Sequence, residues 1–122
     1  MKTAPAAPDT LTEIEYDGRT RQVLAAVEAE IDRMLQDDIV DIDSSRTGGL
    51  LELRFPSGAV MVINTQPPLQ ELWLASPAGG HHFRSIGARW LDSRTGDEFF
   101  AVLSGRASEL AGRVVRFGAD AN

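Results

Sequence analysis

Carboxylates are the residues of this sequence best suited to chemistry, and most of them lie in its first third. Residues 9–43 hold eleven Asp or Glu and three Arg, a net charge of −8 in a chain whose total is −6. Carboxylate oxygens bind hard cations such as Fe²⁺, Fe³⁺, Ca²⁺, Mg²⁺ and Mn²⁺. A negative surface also attracts basic proteins and repels nucleic acid and anionic membranes. The sequence therefore predicts a surface for cations or basic proteins, with no nucleic acid and no membrane as partner.

Eight of these carboxylates form the candidate metal-binding set, named here the acidic ridge. Glu28 and Asp32 are four residues apart and would share one helix face, with Asp17 about three turns earlier on the same flank and Glu30 on the opposite flank. Like charges at this spacing destabilise an isolated helix by roughly 0.2–0.5 kcal/mol per pair, a cost that a cation would relieve. The alternative is a solvated face that only confers solubility. The acidic ridge comprises Asp17, Glu28, Glu30, Asp32, Asp37, Asp38, Asp41 and Asp43.

A second group of residues predicts a protein-binding surface. In the stretch INTQPPLQELWLAS, residues 63–76, Leu72 and Leu74 flank Trp73. Side chains alternate along a strand, so if the leucines face the core, Trp73 faces away from it. Tryptophan is among the commonest anchor residues of interfaces, although single exposed aromatic residues often have no such role. The predicted partner-binding residues are Asn64, Gln66, Glu71 and Trp73.

Other kinds of site have little support in the sequence. His81 and His82 are adjacent and would point to opposite faces of a strand, so they cannot easily chelate one metal. We expect His81 to be solvated and keep His82 as a secondary candidate ligand. Cysteine is absent, and no Gly-rich phosphate loop or Ser–His–Asp spacing is present, so no catalytic or cofactor-binding residue is predicted. The protein is expected not to be an enzyme, with ferroxidase activity left open.

The spacing of apolar residues predicts the elements that position these groups. Apolar residues recur every three or four positions from Tyr16 to Met34 or Leu35, which predicts a helix over residues 12–36. Alternation from Ile39 to Asp43 predicts a first, edge strand. Further strands are predicted at 51–55, 60–63, 71–75, 82–84 and 89–92. Possible capping boxes occur at Thr10–Glu13, Thr12–Glu15 and Thr95–Glu98, and the last of these predicts a second helix over 96–111.

The order of these elements predicts the fold class. Short hairpin connections imply an antiparallel sheet of about five to six strands, which two helices can cover on one face only. This is an α+β two-layer sandwich. The 122 residues suit one domain, predicted at 12–122 after a flexible tail at 1–11. Residues 114–117 would pack on a helix or stay extended. No secretory signal or membrane span is recognised, so a cytoplasmic location is expected.

One continuous stretch of the chain resembles the frataxin family, and within it the bacterial, CyaY-type branch. The most specific part is the Asn64-x-Gln66-x-Pro68 loop followed by Gln70-x-x-Trp73-Leu74-Ala75. The pattern extends from Gly48-Gly49 through Ser57-Gly58, Gly79-Gly80 and His82-Phe83 to Trp90. Together with the helix–strands–helix order, the resemblance covers about residues 13–112.

The resemblance implies a helix–sheet–helix protein of iron–sulfur cluster assembly that binds iron weakly at exposed carboxylates. Its implied partners are a cysteine desulfurase and the cluster scaffold protein, and its implied roles are iron donor, iron sensor or desulfurase regulator. Other hard divalent cations remain possible, as does iron storage through oligomers. We expect a monomer, with iron-dependent oligomerisation left open. In this chain Ala29, Arg33, Ile39 and Val40 interrupt the acidic run, so metal affinity and stoichiometry could differ from those of relatives.

Overall fold

The computed structural model describes residues 7–118 and contains two helices, six strands and one short 3-10 turn. The predicted flexible tail at 1–11 lies partly outside the described residues. No helix of the described part has the length and apolar character needed to cross a membrane. The elements are α1 (Glu13–Gln36), β1 (Asp43–Thr47), β2 (Leu50–Arg54), β3 (Val60–Gln66), the 3-10 turn (Pro67–Leu69), β4 (Glu71–Ser76), β5 (Gly79–Ile86), β6 (Arg89–Asp92) and α2 (Phe99–Ala111).

α1 begins at one of the predicted capping boxes. The Thr12 hydroxyl accepts from the Glu15 amide at 3.0 Å, and the Glu15 carboxylate accepts from the Thr12 amide at 2.8 Å. These bonds satisfy two amides that have no partner within the helix. The predicted apolar stripe is buried, and Met34 continues it, whereas Leu35 is half-exposed. The alternative start at Thr10–Glu13 is not used.

The predicted first strand at Ile39–Asp43 is wrong, because the strand begins at Asp43 and runs to Thr47. The amide of Ile39 donates to the Met34 carbonyl at 2.8 Å, so this residue still completes the end of α1. Asp38, with φ of 55°, reverses the chain there. Ile42 is nevertheless buried. The apolar residues at 39–42 therefore belong to a loop that covers part of the core, and they do not form a strand.

All six strands are antiparallel and follow one another across the sheet in chain order. Both helices pack on the same face, and their buried side chains join those of the strands in a single core. The predicted α+β two-layer sandwich is confirmed, with six strands. The opposite sheet face, which we call the open face, is not covered by either helix. Alternating strand residues project from it, including Val62, Asn64, Trp73, His82 and Arg84.

α1 crosses the sheet from one edge to the other. Near its first turns, the guanidinium of Arg19 lies 5.1 Å from the ring centre of Trp90 on β6. Near its end, Glu28 pairs with Arg46 of β1 at 3.3 Å. Asp9 continues the contact with the β5–β6 hairpin, because its carboxylate accepts from the amides of Gly87 and Ala88. The described part of the predicted tail is thus bound to the sheet.

α2 begins at Phe99 instead of residue 96, and its predicted capping box does not form as expected. Glu98 is itself the N-cap, and its carboxylate accepts from the amides of Phe100 and Ala101. The preceding residues form a turn in which Gly96 has φ of 80°, a conformation that a helix cannot contain. At the other end, Gly112 caps the helix with φ of 70°.

The C-terminal segment packs on α2, which decides between the two predicted arrangements. Val115 and Phe117 are buried in the core. The Ser108 hydroxyl accepts from the Val115 amide at 3.0 Å, and the Ser104 hydroxyl accepts from the Phe117 amide at 2.8 Å. The hydroxyls of two serines one turn apart on α2 therefore accept the backbone hydrogen bonds that a neighbouring strand would otherwise accept.

Candidate functional site

The acidic ridge follows α1, the loop after it and the first residue of β1. Four of its eight members form ion pairs with three arginines. Asp17 pairs with Arg21 at 2.9 Å, Glu28 pairs with Arg46, and Arg33 bridges Glu30 and Asp37 at 3.1 Å from each. The other members are exposed and form no ion pair within residues 7–118: Asp32, Asp38, Asp41 and Asp43.

The ridge does not form a closed metal site. Among the described residues, no three His, Asp or Glu side chains are grouped so that they could hold one ion. The carboxylates of Asp32, Asp38, Asp41 and Asp43 are exposed and keep much of their hydration, whereas those of Glu28 and Glu30 are partly buried. Oxygen donors of this kind suit hard cations, including iron, but exposed and separate donors give weak binding. The predicted ligand residues therefore do not converge on one point: Glu28 faces Arg46 of β1, whereas Glu30 pairs with Arg33 within α1. The coordination of a metal by them stays a prediction.

The predicted partner-binding residues lie together on the open face. Asn64 of β3 is directly opposite Trp73 of β4, and Gln66 is opposite Glu71. Trp73 is partly exposed, as the alternation of Leu72 and Leu74 predicts, because both leucines are fully buried on the helix side. Asn64 and Gln66 are also partly exposed. A large aromatic ring, two amide side chains and an uncovered sheet surface thus adjoin one another.

Glu71 differs from the other three because its side chain is buried. Its carboxylate accepts from the indole Nε1–H of Trp73 at 2.8 Å and from Nε of Arg84 at 2.9 Å. Burial raises the pKa of Glu71, but the bonds from Trp73 and Arg84 and the nearby positive charges outweigh it, so the pKa lies below its ordinary value. Glu71 therefore remains ionised, and its oxygens are already used within the protein.

The two histidines lie on opposite faces, as the sequence predicts, but the expectation that His81 is solvated is wrong. The His81 side chain is 17% exposed, and its Nδ1 lies 2.9 Å from Oδ2 of the buried Asp92. It points to the helix side of the sheet, where α2 shields it. His82 is on the open face and stacks on Trp73 with ring centres 4.2 Å apart and planes inclined by 6°. Its role as a metal ligand stays untested.

Arg84 is the residue that sequence analysis missed on the open face. It pairs with Glu71 because the β4–β5 hairpin aligns Ser76 with Gly79 and therefore Glu71 with Arg84. The stretch Pro77–Gly80 indicates a turn but allows more than one register. The two-residue connection, once recognised, would have placed this cation opposite Glu71.

Comparisons with known proteins agree with this architecture. A family model described as the Frataxin-like domain matches residues 9–113. A protein named iron-sulfur cluster assembly protein CyaY, from Variovorax paradoxus (strain S110), is 43% identical over 109 residues, which cover 89% of this chain and 99% of that protein. A protein of the same name from Burkholderia mallei (strain SAVP1) is 43% identical over 109 residues, covering 89% of this chain and all of the relative.

Solved structures give the same result for the fold. Frataxin from Psychromonas ingrahamii, described as a model of stability modulation within the CyaY family, aligns with a TM-score of 0.80 and 30% identity over 88% of this chain and 99% of that chain. A trimeric frataxin from Saccharomyces cerevisiae, complexed with ferrous iron, aligns with a TM-score of 0.61 and 24% identity, covering 88% of this chain and 92% of that chain. At this lower identity the likeness bears on the fold alone.

Proposed function

Because this chain belongs to the frataxin-like family, we propose that it is a non-enzymatic, iron-binding adaptor of iron–sulfur cluster assembly. Its bacterial relatives at 43% identity carry the name of that process. In this proposal, iron is a weakly held cargo or signal and not a resident cofactor. The protein acts in the cytoplasm as a monomer, and its partners are a cysteine desulfurase and the cluster scaffold protein.

The partly exposed Trp73 on the open face is the observation that carries the docking role. A tryptophan needed only for stability would be better buried, since its large apolar area contributes most when it is removed from water. Here the ring adjoins the amides of Asn64 and Gln66, which can give directional hydrogen bonds to a partner. An aromatic anchor beside polar groups is the common composition of a protein interface.

The acidic ridge supports a second contact, with cations or with basic side chains. Four of its carboxylates are exposed and form no ion pair within residues 7–118, and their oxygen atoms are donors that iron accepts. The same charges would steer the arginines or lysines of a desulfurase towards this edge. Weak metal binding and reversible protein binding are both expected from carboxylates that remain hydrated.

Substitution of Trp73 tests the docking role. Trp73→Ala should bind a desulfurase–scaffold complex at least about tenfold more weakly than the parent, since truncating an anchor residue of an interface costs about 2 kcal/mol or more. Binding is measured by calorimetry or biolayer interferometry. Ile14→Ala is the matched control, because Ile14 is 85% exposed on α1 and away from the open face. Equal binding of Trp73→Ala and the parent, with the fold intact, would contradict the proposal.

Titration of Fe²⁺ under anaerobic conditions, followed by amide NMR shifts, tests the metal role. Shifts should cluster between residues 13 and 43. Arg33→Gln should bind Fe²⁺ more tightly, because it frees Glu30 and Asp37 from their common partner. Arg106→Gln is the control, since it removes an equivalent pair with Glu109 on α2. Shifts spread evenly over the protein would contradict the proposal, and oxygen consumption faster than in buffer would favour a ferroxidase.

A further inference from the structure

Four side chains on the open face form a connected cluster around Trp73. Glu71 accepts from the indole nitrogen, and Arg84 donates to the second oxygen of the same carboxylate. His82 stacks on the ring, and its Nδ1 lies 3.8 Å from Oε1 of Glu71. The members come from two paired strands, β4 and β5, whose register fixes their spacing. Glu71 and His82 thus restrain both the tilt and the rotation of the Trp73 ring.

The buried carboxylate is the central member of this cluster. Two charge-assisted or polar donors hold it, and its burial strengthens both bonds because water does not compete for them. Glu71 is also fixed from the backbone, since its carbonyl accepts from the Tyr16 hydroxyl at 2.5 Å. This tyrosine belongs to α1 and is itself buried. The buried Tyr16 therefore helps to fix the position of Glu71, and the Glu71 carboxylate in turn fixes the position of the Trp73 indole.

These restraints leave one face of the indole for a partner. His82, on β5, covers one face of the ring, and Glu71 occupies its only hydrogen-bond donor. Asn64, on the other side of β4, is the cross-strand neighbour of Trp73. A partner consequently meets an aromatic face beside an amide, and it finds no N–H group on the ring.

We propose that Glu71 is the positioning residue of this docking surface, holding Trp73 in one orientation that receives an aliphatic side chain of the partner. The inference rests on the proposed docking role of Trp73. An aliphatic group is favoured over a cation because the half-exposed guanidinium of Arg84 would repel a second positive charge at this surface, whereas its partner Glu71 is buried. Arg84 is 43% exposed and uses only its Nε–H on Glu71, so the partner's side chain would be flanked by an acceptor such as a carboxylate or a carbonyl group.

The free protein tests the restraint without any partner. The indole N–H signals of Trp73 and Trp90 are followed by NMR for the parent, Glu71→Ala and Glu71→Gln. The Trp73 signal should exchange with water at least tenfold faster in Glu71→Ala, and Glu71→Gln should keep much of the protection because its amide oxygen can still accept. Glu52→Gln is the control, since Glu52 is a carboxylate of β2 that pairs with Arg54 and not with Trp73. Equal exchange in parent and Glu71→Ala overturns the inference.

Binding to the desulfurase–scaffold complex tests the consequence. Glu71→Ala should bind about three- to tenfold more weakly, the effect of having to immobilise one more side chain on association. Glu71→Gln should recover most of the affinity, and Glu71→Ala should have no further effect when added to Trp73→Ala. If Glu71→Ala loosens the ring but binds like the parent, the inference is wrong and the docking role stands. If Trp73→Ala also binds like the parent, both are wrong.

Discussion

Asp92 shows how a single buried carboxylate organises one corner of the molecule. Its side chain is 1% exposed and accepts from His81 and from the amides of Arg94 and Thr95. Burial raises the pKa of Asp92, but these hydrogen bonds outweigh it, so the pKa lies below its ordinary value of 3.8. Because the unfolded chain then binds a proton more readily, the charged form stabilises the fold above about pH 4, and this contribution is lost as the pH falls further.

Asp92→Asn should therefore be less stable at pH 7 by about 1–3 kcal/mol, the cost of weakening a buried hydrogen-bonded group. Its free energy of unfolding should also fall less than that of the parent between pH 5 and pH 3. Urea denaturation at several pH values measures both effects. Asp97→Asn, at an exposed position of the same turn, should leave both unchanged. An acid dependence identical in parent and Asp92→Asn would show that another carboxylate controls it.

Individual side chains were predictable where one local rule decided them. The alternation of Leu72 and Leu74 is enough to turn Trp73 outward. The pairs Glu71–Arg84 and His81–Asp92 were not predictable, because each depends on how two strands are aligned. A shift of one residue in either hairpin would exchange the faces of all their side chains.

At the scale of elements, the C-terminal segment illustrates a dependence on α2 that a strand would not have. Val115 and Phe117 point into the core, whereas Val114, the first residue of this segment, is 84% exposed. The sequence Val114–Phe117 is compatible with a strand, but the hydroxyls of Ser104 and Ser108 take the backbone bonds instead. Sequence periodicity does not reveal such side-chain partners, which is why two arrangements remained open.

Phe117→Ala should destabilise the protein by about 3–5 kcal/mol, the range for removing a buried aromatic ring. Val114→Ala should change the stability by less than about 0.5 kcal/mol, since substitutions at exposed positions have small effects. Thermal or urea unfolding of the two variants gives the comparison. A similar loss in both would mean that the segment as a whole, and not the buried ring, provides the stability.

Some helix boundaries could be predicted from local sequence, and others could not. α1 was predicted within one residue because its apolar stripe continues for about five turns and its capping box is local. The start of α2 was misplaced, because Glu98 is bridged to Leu91 of β6 before the helix begins. The loop at Ile39–Ile42 was misread for a related reason: the end of α1 uses the Ile39 amide. Tertiary contacts outweigh local propensity at these points.

For the whole molecule, the uneven distribution of charge separates two surfaces. The negative charge is concentrated in residues 9–43, whereas residues 44–122 carry a net charge of +1. On the open face, the exposed part of the docking surface is formed by neutral amides, the aromatic rings of Trp73 and His82, and the cation Arg84. The acidic ridge should therefore attract a partner through long-range electrostatics. The open face should bind the partner through short-range packing and hydrogen bonds.

Binding to the desulfurase should reflect this division in its salt dependence. Raising the ionic strength from about 0.1 M to about 0.5 M should weaken binding of the parent protein to the desulfurase several-fold. The reason is that the screening length falls well below its value of about 10 Å at 0.1 M. Trp73→Ala should keep the slope, whereas Asp32→Asn with Asp38→Asn should reduce it. Glu109→Gln on α2 serves as the control. Affinity that does not change with salt would exclude a charge-steered contact.

The path of α1 across the sheet has a consequence for local unfolding. Its first turns hold β6 through Arg19 and Trp90, and its last turns hold β1 through Glu28 and Arg46. Fraying of either edge strand would disturb contacts of the same helix, which favours opening of the two edges as one cooperative unit. A cation or protein bound near β1 would then raise the free energy of opening at β6, through linkage between binding and folding and without any change of shape.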